Sequence, residues 1–123
     1  MAEKLGHISP MELKISNFKY FTHGPNAMTI YACIVVDQHA DRWFKALNNS
    51  MRVIHKVFVP HITIVKNIPA EQFKKLWPKF EAARFQSSFM ADKLIVLEKE
   101  TYMEGSRWKI YREFPFGSKL MQY

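Results

Sequence analysis

Two stretches near the start of the chain have the apolar pattern of β-strands. Residues 13–20 alternate apolar and polar side chains irregularly, which permits a short strand, and residues 28–36 form a continuous β-branched and aromatic run. A continuous run of this kind is typical of a strand inside a sheet. Gly and Pro in residues 23–26 favour a turn between the two. The pattern therefore predicts a short strand, a turn and a central strand.

Two later stretches, residues 37–51 and 69–84, place apolar residues at helical spacing. Residues three and four apart share one helix face, so each stretch predicts an amphipathic helix. Pro69 suits the start of the second helix, whereas Pro78 predicts a kink or a division within it. The apolar residues are Ala40, Trp43, Phe44 and Leu47 in the first stretch and Phe73, Leu76, Trp77 and Phe80 in the second.

Three further strands are predicted at residues 53–65, 88–98 and 107–114, the last two joined by a turn around Gly105. The predicted order is β, β, α, β, α, β, β. This order predicts an α+β fold, a mostly antiparallel sheet with two helices on one face. We expect one domain over residues 1–123, with 1–10 as a candidate flexible segment.

Charge points to a class of partner. The formal net charge is +7 and the isoelectric point is near 9.6. RNA or a nucleotide would suit this balance, but scattered lysines that only keep the surface soluble explain it equally well. No apolar run approaches the roughly 20 residues that span a bilayer, and the first six residues lack the apolar stretch of a signal peptide. We therefore expect a cytoplasmic protein with no membrane partner.

Cysteine usage excludes two kinds of stabilisation. Cys33 is the only cysteine, so the chain can form no internal disulfide and no zinc site of the cysteine-cluster type. Its place in an apolar run predicts a buried core thiol.

The strand around residue 61 carries the best candidates for chemistry. Because side chains alternate along a strand, His61, Thr63 and Val65 are expected on one face. Ile62 and Ile64 are expected to point to the core. An imidazole can move a proton near neutral pH, and a hydroxyl can hold a phosphoryl oxygen. The alternative is a threonine that only pairs with its neighbours across the sheet.

Residues 59–64, Val-Pro-His-Ile-Thr-Ile, resemble the Pro-His-x-Thr-apolar signature of the 2H phosphoesterases. This superfamily contains RNA 2′,3′-cyclic phosphodiesterases and the so-called 2′-5′ RNA ligases. The order of elements over residues 13–117 is similar to the C-terminal lobe of its small bacterial and phage members. It includes a closing strand with the pattern Trp-x-apolar-Tyr at residues 108–111.

The resemblance implies a phosphodiesterase that needs no metal or other cofactor. Its substrate would be a cyclic phosphodiester, in RNA ends or in a small cyclic nucleotide. His61 would act as general acid or base and Thr63 as phosphate ligand. Tyr31 and Tyr111 would contact the substrate by ring stacking or a phenolic hydrogen bond; partly buried sheet residues are the alternative interpretation.

The resemblance also implies a second His-x-Thr/Ser motif, which faces the first across a groove and supplies the other proton-transfer group. No histidine follows His61, and before it only His7-Ile8-Ser9 fits the pattern. Residues 10–26 leave too little chain for the helix of a first lobe. The sequence thus predicts half of a site. The remaining histidines are expected at surface or boundary positions; they are His23, His39 and His55.

Three explanations of the single motif stay open. The chain is a shortened form or fragment, a degenerate member that binds without turnover, or one half of a homodimer in which each chain supplies His61 and Thr63. Competing functions are a non-catalytic RNA- or nucleotide-binding module and a structural protein whose sheet packs on a partner. Aromatic residues that would cover such a sheet face, or form plain core, are Phe18, Tyr20, Phe21 and Tyr31.

Overall fold

The computed structural model describes residues 5–52, 59–99, 105 and 107–117. Within the described residues, three pairs of neighbouring strands have a defined register, and all three are antiparallel. The predicted α+β class, with a mostly antiparallel sheet and two helices, is confirmed. In chain order the elements are β1 (Met11–Thr22), β2 (Ala27–Ile34), α1 (Gln38–Ser50), β3 (His61–Pro69), α2 (Ala70–Ala82), β4 (Gln86–Ala91), β5 (Lys93–Glu98) and β6 (Lys109–Pro115).

Several predicted boundaries differ from those in the structure. The strand predicted over residues 88–98 is two strands, β4 and β5, which Asp92 separates. Of the strand predicted over residues 53–65, residues 53–58 lie outside the described residues. Helix α2 continues through Pro78, so the predicted division of this helix is wrong. Helix α1 begins after Asp37, whose Oδ1 accepts the Ala40 N–H at 2.8 Å, a side-chain cap.

The chain divides into two compact units. The first, called the sheet unit, consists of Leu13–Ala40 and His55–Phe89; the second, called the ribbon unit, consists of Met1–Glu12, Asp41–Ile54 and Met90–Tyr123. The expectation of a single domain stays a prediction.

The sheet unit is built on a four-stranded sheet in the order β3-β2-β1-β4, with α2 against one side. Phe73 of α2 contacts Tyr20 at a ring distance of 4.7 Å, and Phe80 contacts Phe18 at 5.1 Å. Successive side chains of a strand point to opposite faces. Lys19, between Phe18 and Tyr20, therefore lies on the face opposite α2. We call the two sides the helix face and the motif face.

A β-bulge in β3 changes the predicted side-chain pattern. Thr63 pairs with Tyr31 but Val65 pairs with Ile30, so Ile64 is one residue in excess. Ile64 is 46% exposed, and its predicted role as a core anchor is wrong. Val65 lies opposite the fully buried Ile30. Val65 is therefore on the helix face, and its predicted place on the face of Thr63 is also wrong.

The ribbon unit contains the two-stranded antiparallel sheet of β5 and β6. Trp43 packs on Phe116 with ring centroids 5.5 Å apart, and its Nε1 donates to the Ser9 carbonyl oxygen at 2.7 Å. Phe114 and Phe116 are buried. This unit thus has its own apolar contacts. In the part of the chain that the structure describes, no helix is long and apolar enough to cross a membrane.

Candidate functional site

The two residues of the predicted motif lie on the same face of an edge strand. In the antiparallel pairing of β2 and β3, Cys33 is opposite His61 and Tyr31 is opposite Thr63. Directly opposed residues of an antiparallel pair point to one side of the sheet. His61 and Thr63 are exposed, so both side chains are accessible on the motif face. Their predicted shared face is confirmed.

A backbone contact fixes the tautomer of the His61 ring. Nδ1 of His61 lies 2.7 Å from the carbonyl oxygen of Val59. A carbonyl oxygen only accepts hydrogen bonds, so Nδ1 carries the proton and donates it. The neutral ring therefore presents Nε2 as a proton acceptor. This is the protonation state that a general base requires.

Two aromatic rings support the imidazole. Phe21 and Tyr31 are stacked, with centroids 4.2 Å apart and planes inclined by 20°. The His61 ring makes edge contacts with both, at 5.0 Å to Phe21 and 5.4 Å to Tyr31. Edge-to-face contacts of this kind are favourable and directional. The two aromatic rings therefore restrict the orientation of the imidazole.

Tyr31 is the most buried member of this cluster, at 6% exposure. Burial raises the pKa of its phenol, and the nearby Cys33 thiol raises it further. The phenol is therefore neutral at physiological pH, because loss of the proton would leave a charge in a poorly solvated place. Tyr31 can accordingly donate a hydrogen bond but would not act as an anion.

Two residues on the motif face were not singled out as functional from the sequence. Lys19 is exposed and pairs with Tyr31 across β1 and β2. Cys33 is only half-buried, so the predicted buried core thiol is wrong. Cys33 lies opposite the exposed His61 of the edge strand. Burial raises the pKa of Cys33, and the Lys19 ammonium acts in the opposite direction. The only sequence signal for Lys19 is a lone cation within an aromatic run.

Buried Thr29 shares the motif face but serves the fold. Its Oγ1 accepts the Asn67 N–H at 3.0 Å and is hydrogen-bonded to Nε2 of His23 at 2.7 Å. Asn67 has a positive φ of 54° where the register between β2 and β3 shifts a second time. Thr29 thus accepts the hydrogen bond of a backbone N–H, that of Asn67, which has no carbonyl partner in the irregular strand pairing. His23 is engaged in this contact, which supports its expected boundary role.

The structure brings Tyr31, His61 and Thr63 together within the sheet unit. Tyr111 lies on β6 in the ribbon unit and is 65% exposed, so its role as a substrate contact stays a prediction. His7 is exposed in the ribbon unit, and the adjoining Ser9 carbonyl bonds to a tryptophan. The two other candidate histidines are placed as follows: His39 is exposed in the first turn of α1, and His55 lies outside the described residues.

The arrangement brings together polar groups that could contact an anionic ligand on one face of the sheet. It combines an accessible imidazole in a fixed tautomer, a neighbouring hydroxyl, a neutral phenol and a lysine. These groups suit proton transfer and phosphate binding. Among the described residues, no three His, Cys, Asp or Glu side chains are grouped so as to hold a metal ion.

Comparison with known proteins identifies the family. Residues 1–102 match the family model described as the 2'-5' RNA ligase superfamily. The chain therefore belongs to the 2'-5' RNA ligase superfamily, which confirms the resemblance found at residues 59–64. A similar protein is the "Putative phosphoesterase GK0864" of Geobacillus kaustophilus strain HTA426. It is 24% identical over 125 residues, which cover 97% of this chain and 69% of that protein.

Proposed function

We propose that this protein is a 2H-type phosphoesterase that hydrolyses a cyclic phosphodiester, at an RNA end or in a small cyclic nucleotide. The observation that carries the proposal is the pair of His61 and Thr63, exposed side by side with Nε2 of the imidazole as a proton acceptor. Membership of the family supports a phosphoesterase activity.

In the proposed reaction His61 acts as the base. Its Nε2 takes a proton from water while the water oxygen forms a bond to phosphorus, and the bond from phosphorus to one ribose oxygen breaks. The Thr63 hydroxyl donates a hydrogen bond to a non-bridging oxygen, where negative charge accumulates. The products are a phosphomonoester and the freed ribose hydroxyl.

The departing ribose oxygen also needs a proton. Attacking and leaving oxygens lie roughly in line on opposite sides of phosphorus, so one imidazole cannot readily serve both. In our proposal a second His61 supplies this proton from another copy of the chain, related by a two-fold axis. Reaction by a single chain would rely on water as the acid and would be slow.

A panel of cyclic substrates tests the proposal. Wild type is incubated with uridine 2′,3′-cyclic monophosphate, 3′,5′-cyclic nucleotides and an oligoribonucleotide that ends in a 2′,3′-cyclic phosphate. We expect turnover of at least one substrate, and loss of that turnover in His61→Ala. His39→Ala is the matched control, because His39 is also exposed but lies on α1. Unchanged turnover in His61→Ala would exclude the proposed role of His61.

A second candidate function is a non-catalytic module that binds RNA or a nucleotide at the same face. One observation favours it: among the described residues, His61 is the single histidine beside Tyr31 and Thr63. The reaction proposed above needs two proton-transfer groups. The net charge of +7 suits a polyanionic ligand in either case. Binding of the oligoribonucleotide without turnover of any substrate, at all protein concentrations, would select this function.

A further inference from the structure

Three residues form a row across the sheet unit. Lys19 of β1 is opposite Tyr31 of β2, and Tyr31 is opposite Thr63 of β3. Residues in such a row point to the same face of the sheet. Lys19 and Thr63 therefore stand on either side of Tyr31 on the motif face.

The spacing of this row suits a phosphate group. Neighbouring strands lie about 4.8 Å apart, so the backbones of Lys19 and Thr63 are separated by about two such spacings. A phosphate that accepts a hydrogen bond from the Thr63 hydroxyl would lie on the motif face between Thr63 and Lys19, outside the buried ring of Tyr31. The four-carbon stem of Lys19 allows its ammonium group to reach an oxygen of that phosphate.

Two observations place the Lys19 charge on this face. Its neighbours Phe18 and Tyr20 contact α2, which leaves the opposite face for Lys19. The Lys19 ammonium also lowers the pKa of Cys33, which partly offsets the effect of burial, and Cys33 is opposite His61. Both ion pairs found in the described residues involve other lysines, so no carboxylate there neutralises Lys19.

We propose that Lys19 is a phosphate-binding residue of this site, which with Thr63 holds the phosphoryl oxygens of the substrate on the motif face. The proposal rests on the proposed function for its substrate, a phosphodiester monoanion. Lys19 would balance the charge that gathers on the non-bridging oxygens as water attacks. A charge-assisted contact of this kind acts on binding of the phosphate product as well as on turnover.

The test compares wild type with Lys19→Gln, Lys19→Arg and the control Lys75→Gln. Lys75 is exposed on α2, so its replacement removes the same charge from the helix face. Titration with uridine 3′-monophosphate measures phosphate binding, and hydrolysis of uridine 2′,3′-cyclic monophosphate measures kcat/KM. We expect Lys19→Gln to weaken both by about tenfold to hundredfold, Lys19→Arg to retain much of each, and Lys75→Gln to change neither.

Alkylation of Cys33 provides a readout that needs no activity. Because Cys33 is the only cysteine, the pH dependence of its reaction with iodoacetamide reports its pKa directly. In Lys19→Gln the midpoint should move to higher pH, since the Lys19 cation no longer favours the thiolate. In Lys75→Gln it should stay where it is in wild type.

These measurements separate failure of the inference from failure of the proposed function. If wild type binds uridine 3′-monophosphate without any turnover and Lys19→Gln loses the binding, the phosphodiesterase proposal fails and the role of Lys19 is supported. If Lys19→Gln binds and reacts like wild type, the role of Lys19 is overturned whatever the Cys33 titration shows. If wild type binds no phosphate ligand, both proposals are overturned.

Discussion

The imidazole of His61 is tied to the carbonyl oxygen of Val59 two residues earlier, with Nδ1 and the oxygen 2.7 Å apart. This backbone contact sets the tautomer of the ring. In many sites a separate carboxylate has that role. The Phe21 and Tyr31 rings limit its remaining rotation. These contacts hold the His61 imidazole in one tautomer and limit its orientation on an exposed strand.

Replacement of His61 by asparagine should separate proton transfer from folding. An asparagine amide can donate to the Val59 carbonyl in place of Nδ1, but it offers no base in place of Nε2. We expect His61→Asn to fold normally, to bind uridine 3′-monophosphate within a few fold of wild type, and to lose about 100-fold to 10,000-fold in kcat. Steady-state kinetics, ligand titration and circular dichroism measure the three effects. A kcat within a few fold of wild type would exclude general base catalysis by His61.

Replacement of Thr63 should act on the phosphate. Thr63→Val keeps the shape of the side chain but removes the donor, so a hydrogen bond to a charged oxygen is lost. We expect kcat/KM to fall by about tenfold to hundredfold, whereas Thr63→Ser should stay within a few fold. Because Thr63 is exposed, neither change should alter the urea midpoint appreciably. Equal kinetics in Thr63→Val and wild type would remove Thr63 from the site.

The candidate site could be predicted from the sequence only as far as local pattern determines it. Alternation along the strand correctly placed His61 and Thr63 on one face. The bulge at Ile64 could not be predicted, because it depends on the register that β3 adopts against β2. The place of Lys19 on the motif face was not predicted for the same reason. From sequence alone, an isolated lysine in a strand looks like any solvent-exposed residue. Only the cross-strand pairing shows that Lys19 lies beside Tyr31.

The fold, like the site, could be predicted from the sequence only where local pattern determines it. Apolar periodicity predicted both helices and most strands, since burial of one face decides these elements. The break between β4 and β5 at Asp92 was missed, because apolar residues continue on both sides of it. Pro78 was expected to kink or divide α2, yet the helix continues through it, and Trp77 and Phe80 on either side pack on the sheet. Tertiary packing of the helix therefore outweighs the local cost of the proline.

Thr29 should matter for stability rather than for chemistry. Thr29→Val removes the oxygen that accepts the Asn67 N–H and bonds to His23, which leaves a backbone donor unsatisfied. We expect the free energy of unfolding to fall by about 1–3 kcal/mol, measured by urea denaturation. The control is Thr22→Val, since Thr22 is exposed, and its effect should stay within about 0.5 kcal/mol. Equal stability of the two variants would contradict a structural role for the Thr29 hydroxyl.

The free energy of unfolding should fall at alkaline pH, and ionisation of the Cys33 thiol should contribute to that fall. The folded state raises the pKa of Cys33 above its ordinary value of 9.0 and that of Tyr31 above 10.0. The unfolded chain therefore loses these protons first, and the free energy of unfolding falls as pH rises through the ordinary values. Urea denaturation between pH 7 and pH 10.5 should show a smaller fall in Cys33→Ser than in wild type. An identical fall in both would show that the thiol makes no contribution.

The proposed sharing of His61 between two chains predicts a particular response to mixing. If each active site needs the His61 of two copies, a mixed pair of wild type and His61→Asn has no complete site. At fixed total protein, after subunit exchange, activity should follow the square of the wild-type fraction, so an equal mixture should retain about one quarter. A site within one chain would instead retain half. The mass in solution should correspond to two chains of 14.6 kDa at the concentrations assayed. A linear response to the wild-type fraction would rule out the shared site, and the acid for the leaving oxygen would then have to come from the same chain or from water.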